Sequence, residues 1–158
     1  MSLFYFLTVG SGKKLVQRYW QYGAVSGYEA VKNWNISKVL TDEIKALDLV
    51  AKKGKLCKPG RMDVVAGPEI SGIAVHEACG HPYEADRIFG REGAQAGESF
   101  VNLDSIGKKI GSDIVNVIDD PTIENANGFY LYDDEGVKAR EKYLMKNGVI
   151  NEFLHDRQ

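Results

Sequence analysis

Two histidines five residues apart constrain the fold of this chain more than any other feature of its sequence. His76 and His81 enclose Glu77 in the segment HEACGH. On a regular α-helix, residues four apart lie nearly on one face, but five steps of about 100° leave the two imidazoles roughly 140° apart. A regular helix therefore cannot bring both rings to one point, and a shared site requires a local widening of the helix.

The residues around the second histidine favour such a widening. Gly80 tolerates unusual backbone dihedrals, and Pro82 cannot donate the next helical hydrogen bond. A single i to i+5 bulge would return the two rings to one face, and bulges of this kind are frequent at functional sites. We therefore predict that the helix departs from regular α geometry near Gly80.

With both rings on one face, the segment has the donor set of a catalytic zinc site. Imidazole nitrogens suit Zn²⁺, and the carboxylate of Glu77 lies beside them, where it can take a proton from an activated water. A catalytic zinc usually has three protein ligands, so His76 and His81 leave one ligand to be found. Four further residues of the chain are candidates: Cys79, Glu84, Asp86 and His155.

Each of these candidates also has a structural interpretation. A small cysteine is most often buried in a core, and the carboxylates of Glu84 and Asp86 suit a place beside the ligands or at the substrate as well as ligation. His155 is compatible with an exposed surface position. The two motif histidines could themselves lie at a helix end, with one of them binding backbone carbonyls.

The composition restricts the class of protein. A net charge of −2 provides no basic surface for nucleic acid, and no apolar stretch approaches the roughly 18 residues that a membrane helix needs. Two cysteines and three histidines exclude a disulfide framework and a closed multi-cysteine zinc module. We therefore expect a cytoplasmic protein that binds neither nucleic acid directly nor a membrane.

The remaining patterns predict an α+β fold in which residues 1–158 form a single unit. Apolar positions recurring every three or four residues predict an amphipathic helix over residues 36–51, and Pro68 favours the start of a second helix that carries the motif. Residues 90–111 are glycine-rich and predict a loop. Short apolar runs predict strands at residues 3–9, 15–22, 62–66, 113–118, 128–132, 141–145 and 149–154, the last two joined by an Asn147-Gly148 turn. The expected architecture has two main helices packed on a largely antiparallel sheet.

Several blocks of the sequence resemble, in order and spacing, those of the TldD/PmbA family, zinc metallopeptidases also described as modulators of DNA gyrase. The HEACGH segment, followed by Glu84 and Asp86, resembles the family's HEAxGH and E-x-D signature. Its later blocks are similar to residues 114–120 (IVNVIDD), 133–136 (DDEG), 147–149 (NGV) and 156–157 (DR). The similarity covers nearly the whole chain, which resembles the central part of a longer family member.

The resemblance implies roles, a substrate and partners. It makes His76 and His81 zinc ligands and Glu77 the general base, with the third zinc ligand a cysteine outside this chain. The isolated chain is then expected to be an incomplete, inactive enzyme that holds little or no zinc. The implied substrates are unfolded or partly degraded polypeptides, and the implied partner is a TldD/PmbA-like subunit in a homo- or hetero-oligomer.

Two other functions are compatible with the sequence. The chain could belong to a non-catalytic regulator that binds a partner, of the gyrase-modulator type, or it could be an inactive fragment in which the histidines are structural. Glu77 favours catalysis over the regulator, because a purely structural metal helix has no need of a carboxylate next to its first ligand. The zinc content of the purified chain would discriminate the inactive fragment.

Overall fold

The computed structural model describes residues 1–93 and 99–157, and these form two compact units. The first contains Met1–Met62 and Ile123–Phe129, and the second contains Asp63–Thr122 and Tyr130–Gln158. Each unit combines helices with antiparallel strands, so the α+β prediction is confirmed. That residues 1–158 act as a single unit stays a prediction.

The first unit is built on a long β-hairpin. Strands β1 (Ser2–Ser11) and β2 (Lys14–Gly23) pair along their whole length, and both strands were predicted. The chain turns at Gly12, whose φ of 60° lies in the left-handed region that glycine adopts without strain. Burial alternates strictly along β1, as expected for a sheet with one covered and one exposed face.

Two helices complete the first unit. Helix α1 spans Glu29–Asn33, and helix α2 spans Ile36–Lys53 and packs against both strands of the hairpin, with Leu47 and Ala51 buried. The predicted amphipathic helix is thus confirmed. The N–H of Gly54 donates to Val50 O, 2.8 Å away, and the helix ends there. Among the described residues, no helix has both the length and the apolar character needed to cross a bilayer.

The second unit contains the motif in a run of short helical segments. Helix α3 (Pro68–Val75) begins at the predicted proline and continues into a π-helical segment, His76–Gly80. A 3₁₀ turn, His81–Tyr83, and helix α4, Ala85–Ile88, follow. The strand predicted at residues 62–66 is wrong. These residues are exposed and have no regular secondary structure, because an apolar run becomes a strand only where another strand pairs with it.

The sheet of the second unit consists of β3 (Val117–Asp119), β4 (Lys142–Lys146) and β5 (Val149–Ile150), in that order, and is antiparallel throughout. All three strands overlap predicted runs. β3 and β5 are shorter than the runs predicted at residues 113–118 and 149–154, whereas β4 has the length of the run predicted at residues 141–145 and is displaced by one residue. The strand predicted at residues 128–132 is wrong, since only an isolated bridge from Tyr132 to Lys138 forms there. In the predicted loop 90–111, residues 94–98 lie outside the described residues, and the described part contains one 3₁₀ turn, Leu103–Ser105.

One hydrophobic core joins the motif segment to this sheet. Tyr83 is fully buried and Cys79 is 7% exposed. Their side chains belong to the same hydrophobic cluster as buried residues of the strands. The strand residues of this cluster are Val117, Leu144, Met145 and Ile150. The distorted part of the helix is therefore anchored from below by buried apolar contacts.

The predicted Asn147-Gly148 turn is confirmed and is tightly packed. Both residues have positive φ, 51° and 74°, as a two-residue hairpin turn of type I′ requires. Gly148 O accepts hydrogen bonds from the N–H groups of Ile110 and Gly111, both at 2.9 Å. A methyl group on Gly148 would meet the backbone of Gly111 and would lie 2.6 Å from Ser112 O.

We expect Gly148→Ala to destabilise the protein more than Gly107→Ala. Gly107 also has a positive φ, 82°, but has no described atom near the added methyl, so it reports the backbone cost alone, about 1–2 kcal/mol. At Gly148 the clash adds about 1–3 kcal/mol to that cost. Chemical denaturation of both variants gives the two free energies of unfolding, and equal losses would contradict the packing seen around the turn.

Candidate metal centre

The helix that carries the motif changes its hydrogen-bonding pattern at the first histidine. Up to Val75 it is a regular α-helix, and over His76–Gly80 it is π-helical. The N–H of His81 donates to the carbonyl oxygen of His76, which is an i to i+5 bond. The departure from α geometry predicted near Gly80 is thus confirmed.

The widened turn brings the two imidazoles together. The ring centroids of His76 and His81 are 4.3 Å apart and the rings are inclined at 75° to each other. One ligand atom from each histidine and one carboxylate oxygen of Glu77 all lie within 4.8 Å of one another. The structure therefore brings together all three predicted site residues, and their roles as ligands and base stay predictions.

The other candidate ligands lie outside this group. Cys79 is buried in the core, while Asp86 is exposed and one of its oxygens accepts the N–H of Arg87 at 2.8 Å. His155 is exposed, and its Nδ1 is 3.1 Å from Asp156 O. Glu84 contacts one member of the group, with its Oε1 2.8 Å from His81 Nδ1. Among the described residues, only His76, Glu77 and His81 form a group that could hold a metal ion.

Two residues of the core next to the bulge, Cys79 and Tyr83, have side chains that can ionise, and burial favours the uncharged form of both. Burial raises the pKa of the Cys79 thiol above its usual value. Burial, together with the nearby Cys79, raises the pKa of Tyr83 to about 12. A buried, protonated thiol is a poor metal ligand, because metals bind the thiolate.

A cavity of about 350 Å³ opens beside the histidines. Polar groups in its wall, besides the imidazoles, are Glu84 and Asp119, and the Asp119 carboxylate is 2.7 Å from Lys142 Nζ. Most of the remaining wall is apolar, formed by Val75, Val117, Ile118, Leu144 and Leu154. The metal group therefore borders an apolar recess that could hold part of a ligand.

Sequence reasoning missed two residues of this site. The guanidinium of Arg87 is 3.8 Å from Glu84 Oε2. The spacing of three residues between Glu84 and Arg87 on a helical stretch is the signal that could have revealed this contact. Asp119 belongs to a block quoted above without an assigned role, and its place in the cavity wall depends on the pairing of β3 with β4.

Comparison with known proteins assigns the chain to a family. A family model described as the PmbA/TldA metallopeptidase C-terminal domain matches residues 59–158. The chain belongs to the TldD/PmbA metallopeptidase family. The matched part of this TldD/PmbA chain includes α3, the π-helical segment and the whole of the second sheet.

Curated relatives carry names that agree with this assignment. The chain is 38% identical over 142 residues to a metalloprotease of Methanocaldococcus jannaschii, covering 87% of this chain and 30% of that protein. It is 34% identical to a zinc metalloprotease TldD homolog of Saccharolobus solfataricus, over 78% of this chain and 26% of that protein. The chain thus spans about a third or less of the length of these TldD/PmbA relatives, and its position within a longer protein stays a prediction.

We expect Cys79→Ala to leave zinc binding by the full-length TldD/PmbA protein unchanged and to lower its free energy of unfolding by about 1 kcal/mol, the cost of losing a small buried side chain. Zinc content after dialysis and chemical denaturation measure the two effects. Cys57→Ala is the matched control, since Cys57 is exposed and should affect neither. Loss of zinc from the Cys79 variant alone would make this thiol a ligand and contradict its place in the core.

Proposed function

We propose that this chain contributes the metal-binding helix of a zinc-dependent metallopeptidase. His76 and His81 hold the zinc, and Glu77 is the general base for hydrolysis of peptide bonds. The observation that carries the proposal is the π-helical turn, which places donor atoms of these three residues within 4.8 Å of one another. A relative named as a zinc metalloprotease supports the choice of metal.

The chemistry of the donor set fits zinc. Zn²⁺ accepts imidazole nitrogen in catalytic sites, commonly with three protein ligands and one open position. The described residues offer two imidazoles and a neighbouring carboxylate in one group. The proposal takes the third ligand from a cysteine outside this chain, as the family resemblance implies, so residues 1–158 alone should bind zinc weakly and be inactive.

The proposed mechanism gives Glu77 the proton transfers. When bound, zinc would polarise the scissile carbonyl and lower the pKa of a water molecule. Glu77 accepts a proton from the attacking water and then donates it to the leaving amine. The side chain of Glu77 is exposed, so no described residue has to move before water can reach it.

The apolar wall of the cavity supports unfolded or partly degraded polypeptides as substrates. Val117, Ile118 and Leu154 border the histidines together with other apolar side chains. Folded proteins keep most of their large apolar side chains buried, whereas an unfolded chain exposes them. A recess of this composition therefore favours segments of polypeptide that have lost, or never acquired, their fold.

The assembly and location proposed here come from the resemblance and from composition. We place the protein in the cytoplasm, where its two cysteines would stay reduced. Its proposed partner is a TldD/PmbA-like subunit, identical or homologous, in an oligomer. Analytical ultracentrifugation of the full-length protein, alone and mixed with a homologous subunit, tests this assembly independently of activity.

We expect Glu77→Gln in the full-length protein to retain zinc but to lose peptidase activity by about 100-fold or more, because an amide cannot accept the proton from water. Zinc content and hydrolysis of an unfolded polypeptide are the two measurements. Glu69→Gln, on the same helix but in its first turn, is the matched control and should keep full activity.

Two results would count against this proposal. Near-normal turnover by the zinc-loaded Glu77 variant would exclude Glu77 as the base. A wild-type protein that holds zinc but hydrolyses no polypeptide would instead favour the non-catalytic, partner-binding function.

A further inference from the structure

His81 has a contact outside the group it forms with His76 and Glu77. Its Nδ1 is 2.8 Å from Glu84 Oε1, within the range of a charge-assisted hydrogen bond. An ionised carboxylate only accepts hydrogen bonds, so with Glu84 ionised this contact requires the hydrogen to be on Nδ1. The neutral imidazole then has its lone pair on Nε2, the nitrogen left free for a metal.

The backbone geometry makes this contact. The 3₁₀ turn His81–Tyr83 directly precedes Glu84, and in a 3₁₀ turn residues i and i+3 eclipse each other. The backbone of the turn thus places the Glu84 side chain next to the ring of His81. The π-helical turn determines the position of His81 relative to His76, and the 3₁₀ turn determines that the carboxylate of Glu84 contacts the His81 ring.

Glu84 is itself held from two sides. Its second oxygen, Oε2, is 3.8 Å from the guanidinium of Arg87, a residue that is only 8% exposed. Its backbone forms a parallel bridge with Leu154, in which the N–H of Ala85 donates to Leu154 O and the N–H of Leu154 donates to Tyr83 O, both at 2.8 Å. Tyr83 in turn is fully buried. The backbone that carries this carboxylate is therefore hydrogen-bonded to the chain at Leu154, next to the buried Tyr83.

We propose that Glu84 is a positioning residue for the metal site, fixing the tautomer and orientation of His81 so that Nε2 faces the metal, with Arg87 holding Glu84 in place. This inference rests on the proposed function, since it assumes that His81 is a ligand. Hydrogen-bonded partners of this kind typically contribute about 10- to 100-fold to metal affinity.

The test combines zinc affinity with the tautomer of His81 in the full-length protein. Competition with a chromogenic chelator gives the zinc dissociation constant of wild type, Glu84→Ala and Glu84→Gln. We expect Glu84→Ala to weaken binding by about 10- to 100-fold, and Glu84→Gln to weaken it less, because the amide oxygen still accepts the Nδ1 hydrogen. Nitrogen-15 NMR of the metal-free wild type should show His81 with its hydrogen on Nδ1, and in Glu84→Ala this preference should be lost.

Asp86→Asn is the matched control. Asp86 is a carboxylate two residues further on, its contact is with its own helix, and its substitution should leave zinc affinity and the His81 tautomer unchanged.

The possible failures are distinguishable. Wild-type protein that binds no zinc would contradict the proposed function itself. If both Glu84 variants bind zinc as tightly as the wild type, the positioning role is overturned and the proposed function stands. The same holds if the wild type carries the His81 hydrogen on Nε2. Equal, large losses in the Ala and Gln variants would indicate that Glu84 ligates the metal directly and would also overturn it. If Glu84→Ala fails to fold, the Gln variant and the wild-type tautomer still decide the matter.

Discussion

The hydrogen bond from the N–H of His81 to the carbonyl oxygen of His76 is the contact on which the rest of this site depends. In a regular α-helix the N–H of His81 would instead bond to Glu77, and the two imidazoles would lie on different faces of the helix. The π-helical turn adds the one residue that returns the rings to a common face, with their centroids 4.3 Å apart. Glu77 follows His76 directly, so the same turn also places its carboxylate.

Several neighbouring features stabilise this unusual turn. Pro82 has no N–H to continue the α-helical pattern, and the chain tightens into a 3₁₀ turn after the bulge. Cys79 and Tyr83 insert into the core beneath, so the buried apolar surface fixes the segment to the sheet. The motif residues, exposed at His76 and Glu77 and half-buried at His81, thus share one short stretch with the buried anchors Cys79 and Tyr83.

The sequence predicts helices, the bulge and the Asn147-Gly148 hairpin turn well, but it does not show which of the other apolar runs find a strand to pair with. The bulge follows from the spacing of two histidines, and α2 follows from apolar positions that repeat with the helical period. The strands expected at residues 62–66 and 128–132 do not form, because strand formation depends on a partner that a run of apolar residues does not specify. Glu84 was a candidate for a place beside the ligands, but its contacts with His81 and Arg87 depend on the 3₁₀ turn and the bridge to Leu154, which the sequence does not specify.

The central claim is that the π-helical turn lets both histidines bind one metal ion. X-ray absorption at the zinc edge of the loaded, full-length protein counts the imidazoles in the ligand shell of the metal. The account predicts two imidazoles in the wild type and one in each of the variants His76→Ala and His81→Ala. A wild-type shell with a single imidazole, or with none, would contradict it.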